Sequence, residues 1–443
     1  MERNSAMSVK PFHLGWFMNF TPDEWNQPFG SGGQPWDGSF FVEMAQAMER
    51  ACVDLIMIED TQFVSDLYGG TTEAYLKNAM MAPKHDPAPL AVLMAAATSR
   101  IGVVATLSTS FYPPFLLARL CSTVDHIAGG RFGWNIVTST DTGEARNYGL
   151  DKMPEHDLRY DIADEYVDLV CQLWDSWEPD AVVLDREAGV YADFKKVHEI
   201  NFEGTYFKCR GPLTTVRSPQ GRPTFLQAGG SPRGRDFAAK HADAIITIAN
   251  GVDGMKAYRD DIRARAAAHG RNPDDVKVLF VITPILGETE QDARDKYARI
   301  HDSPSYIETI LAAKSHAIDF DLSQFDLDQP LPDDLTTTNA SQGSLNKFVQ
   351  PGSGKTLRQL VHEMGGLADS IELISTPDVV AEKMGEAMDA VGGDGYLIMP
   401  QELRMSRRYI NEVTDGLIPA LQRRGLVRTS YSHAHLRDNL KAF

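Results

Sequence analysis

Cysteine is scarce and scattered in this chain of 443 residues: Cys52, Cys121, Cys171 and Cys209 are the only four, and no two form a Cys-x-x-Cys pair. That spacing excludes a zinc ribbon and offers no disulfide framework, so reduced thiols are expected. Positive charge is also in deficit. Lys plus Arg number 43 against 61 Asp plus Glu, a formal net charge of −18, which repels nucleic-acid backbones and anionic lipid. Neither nucleic acid nor a membrane surface is an expected partner. No stretch approaches the roughly 18 uninterrupted apolar residues of a membrane span, and the first ten residues carry no apolar leader core, so a cytoplasmic protein is expected. Also missing are Gly-x-Gly-x-x-Gly, Gly-x-Ser-x-Gly and His-Glu-x-x-His. Direct dinucleotide binding, a hydrolase nucleophile elbow and a zinc-peptidase helix therefore lose their usual marks, and no metal is expected.

What is present is a regular alternation. Short apolar runs of strand length occur at 12–17, 55–59, 101–107, 131–137, 224–227, 244–248, 276–283 and 395–399. Between them lie segments with helical apolar spacing at 40–51, 113–127, 160–177, 232–240, 254–269, 290–297 and 377–390. Strands apolar on both faces, each followed by a helix, predict a parallel sheet, and eight such units predict a closed (β/α)8 barrel spanning 1–443 as a single domain. An open doubly wound sheet is the alternative. Three stretches are too long for connecting loops: 61–88, 178–222 and 301–356. The last is rich in Pro, Asp and Thr and follows the seventh strand, so it is expected to be a mobile lid over the barrel mouth or an assembly contact.

Polar residues cluster where these runs end. Asp60 follows the second, Thr106 and Ser108 close the third, Asn135, Thr138 and Ser139 the fourth, and Gln227 and Ser231 the fifth. A polar residue after one strand is an ordinary turn former, but in a barrel four consecutive ends converge on one face, where a hydrogen-bond-rich ligand can be held. Ala228-Gly229-Gly230-Ser231-Pro232-Arg233 joins a strand to a helix. Gly230 lets backbone N–H groups approach an anion, Ser231 can cap, and two nearby arginines, Arg233 and Arg235, add charge. Glu155-His156-Asp157-Leu158-Arg159-Tyr160 opens a long helix. His156 and Tyr160, four apart, would share a face there.

Two other motifs carry less. Pro351-Gly352-Ser353-Gly354-Lys355-Thr356 lacks the first glycine of a phosphate-binding loop, since Val349 stands there, and a helix capped by Thr356 explains it more simply. Asp125 and His126 beside Gly129 and Gly130 read as a structural helix end rather than a catalytic dyad.

The Arg131–Ser139 run, the Glu-His-Asp-Leu-Arg-Tyr segment at 155–160 and the Gln-Ala-Gly-Gly-Ser-Pro-Arg-Gly segment at 227–234 together resemble the bacterial luciferase-like flavin monooxygenases. The resemblance is to the branch of nitrilotriacetate, dimethylsulfide and dibenzothiophene-sulfone monooxygenases, and it runs from about residue 12 to the Leu436-Arg437-Asp438-Asn439 segment. It implies a two-component enzyme that takes reduced FMN from a separate flavin reductase and uses O2 to oxygenate a small organic substrate beside a heteroatom. It also implies that Thr106 and Asn135 act near the reactive edge of the flavin. Asp60, Thr138, Ser139, His156, Tyr160, Gly230 and Ser231 would hold the cofactor, with Tyr160 near the phosphate. Phe17, Phe20, Trp25, Phe111, Tyr112 and Trp134 suggest a partly aromatic pocket, and the Ser110–Phe115 run is most similar to the sulfone-cleaving members. C–S cleavage is thus favoured over C–N or C–halogen, and a homodimer or homotetramer is expected. A deazaflavin (F420)-dependent oxidoreductase and a non-catalytic flavin-binding protein are the alternatives.

Overall fold

The computed structural model describes residues 10–18, 36–302, 304–332, 354–363, 370–400 and 405–443. Its main strands are β1 His13–Met18, β2 Leu55–Ile58, β3 Gly102–Ser108, β4 Phe132–Val137, β5 Thr224–Ala228, β6 Ala244–Thr247, β7 Lys277–Ile282 and β8 Gly395–Ile398. They are parallel and close into a barrel in the order β1-β8-β7-β6-β5-β4-β3-β2. The expected (β/α)8 barrel is therefore the fold, and the open sheet is not.

Strands such as Leu-Ile-Met-Ile in β2 bury both faces, and successive side chains divide between two cores. Val103, Ala105 and Leu107 of β3 and Phe132, Trp134 and Ile136 of β4 join the outer core under the helices. Leu55, Met57, Val104, Leu226, Ile246, Leu279 and Leu397 belong to the inner one. Register pairs Val104 with Gly133 and Thr106 with Asn135. The inward side of β3 and β4 thus turns from apolar to polar toward the carboxyl ends of the strands, where barrel enzymes place their chemistry.

The helices before β8 are α1 Ser39–Arg50, α2 Glu73–Lys77, α3 Pro87–Ala96, α4 Pro114–Ile127, α5 Thr142–Asn147, α6 His156–Asp175, α7 Pro232–His241, α8 Gly251–Ala268, α9 Glu290–His301, α10 Pro304–Ile318, α11 Leu357–Glu363 and α12 Pro377–Val391. α6 starts at His156, a full turn before the expected position, and buries Tyr160, Ala163, Val167, Val170 and Trp174 along one face. Thr356 and Gln359 exchange capping hydrogen bonds at the start of α11, which is the capped helix expected there. The start of the neighbouring Pro-Gly-Ser motif lies outside the described residues. Asp125 accepts from Phe132 N and Gln220 Nε2, and His126 Nε2 meets Val216 O, so this pair ties α4 to the chain entering β5. That is the structural role expected of it.

The long stretches contain structure. Residues 178–222 hold two small hairpins, Val182–Asp185 with Val190–Ala192 and Phe202–Glu203 with Lys208–Cys209. The 301–356 stretch, expected to be a long loop, contains α10. Ile307, Ile310 and Leu311 of α10 join the inner core, and Tyr75 Oη donates to Ala312 O at 2.9 Å. The described 304–332 part of the expected lid is thus packed on the barrel, with Leu322 also in the inner core, and 333–353 lie outside the described residues. Among the described residues no helix is long and apolar enough to cross a membrane, and no group of three or more His, Cys, Asp or Glu could hold a metal ion.

Candidate active site

The ends of β3 and β4 build the first polar cluster. Asn135 Nδ2 donates to Thr106 Oγ1 at 2.9 Å, and both side chains are buried. Asn135 Oδ1 is buried with no partner, which leaves an acceptor to be satisfied by something else. One layer further up, Ser108 Oγ and Ser139 Oγ are 2.9 Å apart. Ser139 takes a positive φ of 52°, which turns the chain sharply as it leaves β4. Thr138 is buried, and its carbonyl accepts from Ser110 Oγ at 2.7 Å.

The second cluster lies where α6 and α7 begin. Ser231 Oγ accepts from Gly234 N at 3.0 Å, capping α7, and is 3.2 Å from His156 Nε2. His156 Nδ1 is 2.7 Å from Asp157 Oδ1. Tyr160 is buried, and its phenol lies over Gly234, where an added Cβ would come within 2.7 Å of the hydroxyl. A side chain at Gly229 would strike the Gly234 carbonyl at 2.6 Å, whereas Gly230 has open space where a Cβ would be. The turn therefore needs one glycine for packing and exposes the other. Gln227 Oε1 is buried without a partner beneath this turn.

The two arginines expected to add free charge are already engaged. Arg233 pairs with Asp161 and Asp164 at 3.0 and 2.5 Å, and Arg235 pairs with Asp261 at 3.2 Å while donating to Gly230 O. Asp60 is used locally, accepting from Thr61 N at 2.9 Å and Gln62 Nε2 at 2.7 Å. Trp134, expected in the pocket, points outward into the core against Tyr166, Trp174 and Phe225, and its indole donates to Leu107 O. It follows the parity of β4 opposite to Asn135. Phe17 packs on the inner core, Tyr112 on the outer one, and Phe111 stacks on Tyr148 at 4.2 Å. Phe20 and Trp25 lie outside the described residues.

Four residues near the barrel mouth escaped the sequence reading. Glu144 is buried, accepts from Gln62 N at 3.0 Å, and is pushed up to about 7 by burial. Burial likewise raises Asp141 to about 6 and lowers His316 to about 4, with the two side chains 3.8 Å apart. His316 packs beside Phe63 at 5.4 Å. The fourth is Arg159, buried on the first turn of α6, with Nε and Nη2 unpartnered. A histidine in the mainly apolar Ile-Leu-Ala-Ala-Lys-Ser-His-Ala-Ile run was the available sign for His316.

The profile of the luciferase-like monooxygenases matches residues 13–395. The chain belongs to that family. It is 36% identical to a dibenzothiophene-sulfone monooxygenase of Rhodococcus erythropolis over 91% of this chain and 89% of the other. It is 34% identical to nitrilotriacetate monooxygenase component A of Aminobacter aminovorans over 94% and 92%. Among solved structures, a riboflavin lyase holding modified FMN and riboflavin superposes with a TM-score of 0.88 at 30% identity, covering 98% of this chain and 96% of that one. As a luciferase-like monooxygenase, this enzyme works with reduced FMN and O2. The residues fit such a cofactor: an open glycine and a capped helix start suit a phosphate, and the Asn135 oxygen is an acceptor awaiting a donor.

Proposed function

We propose that this luciferase-like monooxygenase receives reduced FMN from a separate flavin reductase and oxygenates a small, apolar, heteroatom-bearing compound beside its heteroatom, C–S before C–N or C–halogen. The observation that carries the reading is the buried Thr106–Asn135 pair, with its unsatisfied acceptor, at the polar end of an otherwise aliphatic barrel interior. A working assembly of two or four copies in the cytoplasm belongs to the same reading.

When bound, the flavin supplies the activation of O2. The chain's own residues orient and exclude. Gly230, Ser231, His156 and Tyr160 would grip the phosphate, and Asp60, Thr138 and Ser139 the remainder of the cofactor. Asn135 and Thr106 would hydrogen-bond where flavin, oxygen and substrate meet. Leu226, Ile246, Leu279 and Leu397 keep water out beneath them.

The apolar preference rests on mouth acids that burial pushes toward their neutral forms. Asp60, Asp141 and Glu144 stand at the mouth with raised carboxyl pKa values, Lys84 is held by Glu59, and His316 is a neutral imidazole. A polycarboxylate would meet acids there. The similarity to a sulfone monooxygenase supports sulfur. The test is oxygen uptake by the purified protein with FMN, NADH and a flavin reductase, using an aryl sulfone, a thioether, an aminopolycarboxylate and a halophenol in turn. The sulfone or thioether should raise product per flavin oxidised; product from the aminopolycarboxylate alone would reverse the substrate assignment.

A further inference from the structure

Among the described residues, the antiparallel hairpin of Val182–Asp185 and Val190–Ala192 contributes no side chain to any apolar core. Its base is fixed to the body of the protein. Asp193 N donates to Ala181 O at 2.8 Å, Glu178 N to Lys196 O at 3.0 Å and Trp177 Nε1 to Leu213 O at 2.8 Å. Its turn is closed by Asp185 Oδ1, which accepts from Glu187 N and Ala188 N at 2.9 Å. The tip is bare. Leu184 is 62% exposed, Tyr191 61% and Phe194, just beyond the second strand, 79%, with Val183 and Val190 also exposed. Leu184 holds a φ of 50° as well, a conformation a leucine adopts only at a cost. The neighbouring hairpin differs: Phe202, Phe207 and Cys209 pack on the outer core, and Glu165 accepts from the backbone of Thr205, Tyr206 and Phe207.

A single exposed apolar side chain is ordinary, but five between 183 and 194 make a patch. At roughly 150–250 Å² for a whole aromatic side chain, the five present about 500 Å² per copy. Two copies meeting there would cover about 1,000 Å², the size at which a specific interface begins. An isolated two-stranded sheet is also marginal in water and leaves an edge unpaired on each strand. Charge favours a copy of the same chain. Residues 182–196 carry Asp185, Glu187 and Asp193 against Arg186, Lys195 and Lys196, a balanced set in a chain of net charge −18. Two copies repel over most of their surface and least at this tip, where acids and bases can face each other across a twofold axis.

We propose that the tip of this hairpin, with Phe194, is the surface through which two copies of the chain associate. The proposal rests on the reading that the working protein is an assembly of two or four copies. About a twofold axis each copy offers the same patch, so Leu184, Tyr191 and Phe194 of one lie against those of the other, and a free strand edge can pair antiparallel with its own counterpart. The long 178–222 stretch then serves assembly, its hydrogen-bonded base presenting an apolar tip away from the barrel.

The test is analytical ultracentrifugation of the full chain over a wide concentration range. Wild type should sediment as an assembly. Tyr191→Glu combined with Phe194→Glu places like charges against each other twice across the axis, and should raise the dissociation constant by at least about 100-fold. Circular dichroism should show the fold unchanged, since both side chains are exposed. Leu184→Asn, which suits the positive φ, should weaken association by about tenfold and carries the test if the double variant fails to fold. Wild type that sediments as a single chain at every concentration would overturn the assembly and its surface together. Variants that associate as tightly as wild type would overturn the surface and leave the assembly standing. A single-chain wild type that retains a purified flavin reductase, with retention lost in the double variant, would give the tip to that partner and end the proposal.

Discussion

Asn135 and Thr106 face each other across the β3–β4 ladder in register, joined by a 2.9 Å hydrogen bond that occupies the asparagine nitrogen and leaves its oxygen unpaired. A buried pair with one free acceptor is preorganised to orient a ligand, and removing one such donor or acceptor from a dry site costs on the order of 10²-fold in rate. Asn135→Ala should therefore bind reduced FMN nearly as well as wild type, yield about 10²-fold less product, and release the oxygen it consumes as hydrogen peroxide. Thr106→Val should do the same more mildly. Product and peroxide measured per flavin oxidised check this, and an unchanged ratio would remove the pair from the chemistry.

Ser231 has two jobs, capping α7 and standing beside the open Gly230 turn. Ser231→Asp separates them. Aspartate caps a helix about as well as serine, so unliganded stability should change by less than about 0.5 kcal/mol. A carboxylate there should repel a phosphate and weaken reduced-FMN binding by tenfold or more. Thermal melts and anaerobic titrations together decide the matter; equal FMN affinity would move the phosphate elsewhere.

Glu144 gives a pH prediction with a definite sign. Its folded value is raised to about 7 from an ordinary 4.5, so the folded state holds a proton that the unfolded state has released across this window. Its stabilising effect is complete below about pH 4.5 and fades as pH rises to about 7, a cost on the order of 3 kcal/mol for the ionised group. Glu144→Gln keeps an acceptor for Gln62 N and removes the titration. Denaturant melts from pH 5 to 8 should show the variant gaining on wild type as pH rises. A constant difference would contradict the buried, protonated carboxyl.

Trp134 shows what could not be read from the sequence. The eight strands were legible because each is a short apolar run closed by polar or glycine residues, but a strand buried on both faces loses the alternation that distinguishes inside from outside. Trp134 beside Asn135 therefore looked like pocket and is core. α10 was missed for another reason: its partners, such as Tyr75 against Ala312, are 237 residues away in sequence, and its apolar face declares itself only against the barrel interior. Long separation in sequence likewise hid the meeting of His316 with Asp141. Thr106 and Asn135, by contrast, stand at the strand ends where their sequence positions put them.

From that placement, Trp134→Ala should cost about 3–5 kcal/mol of stability, as for large aromatic truncations in a core. Trp134→Phe should fold, and its KM for the organic substrate should match that of wild type. A selective change in KM at undiminished stability would put Trp134 back in the substrate pocket.

As a luciferase-like monooxygenase, this protein should transfer one oxygen atom from O2 to its substrate using reduced FMN. Isotope labelling tests it most directly. With ¹⁸O2, reduced FMN and a substrate that supports uptake, mass spectrometry should find one ¹⁸O atom in the organic product and none when unlabelled O2 is used in H2¹⁸O. Product formed without label from O2, or formed equally well under anaerobic conditions, would contradict the account.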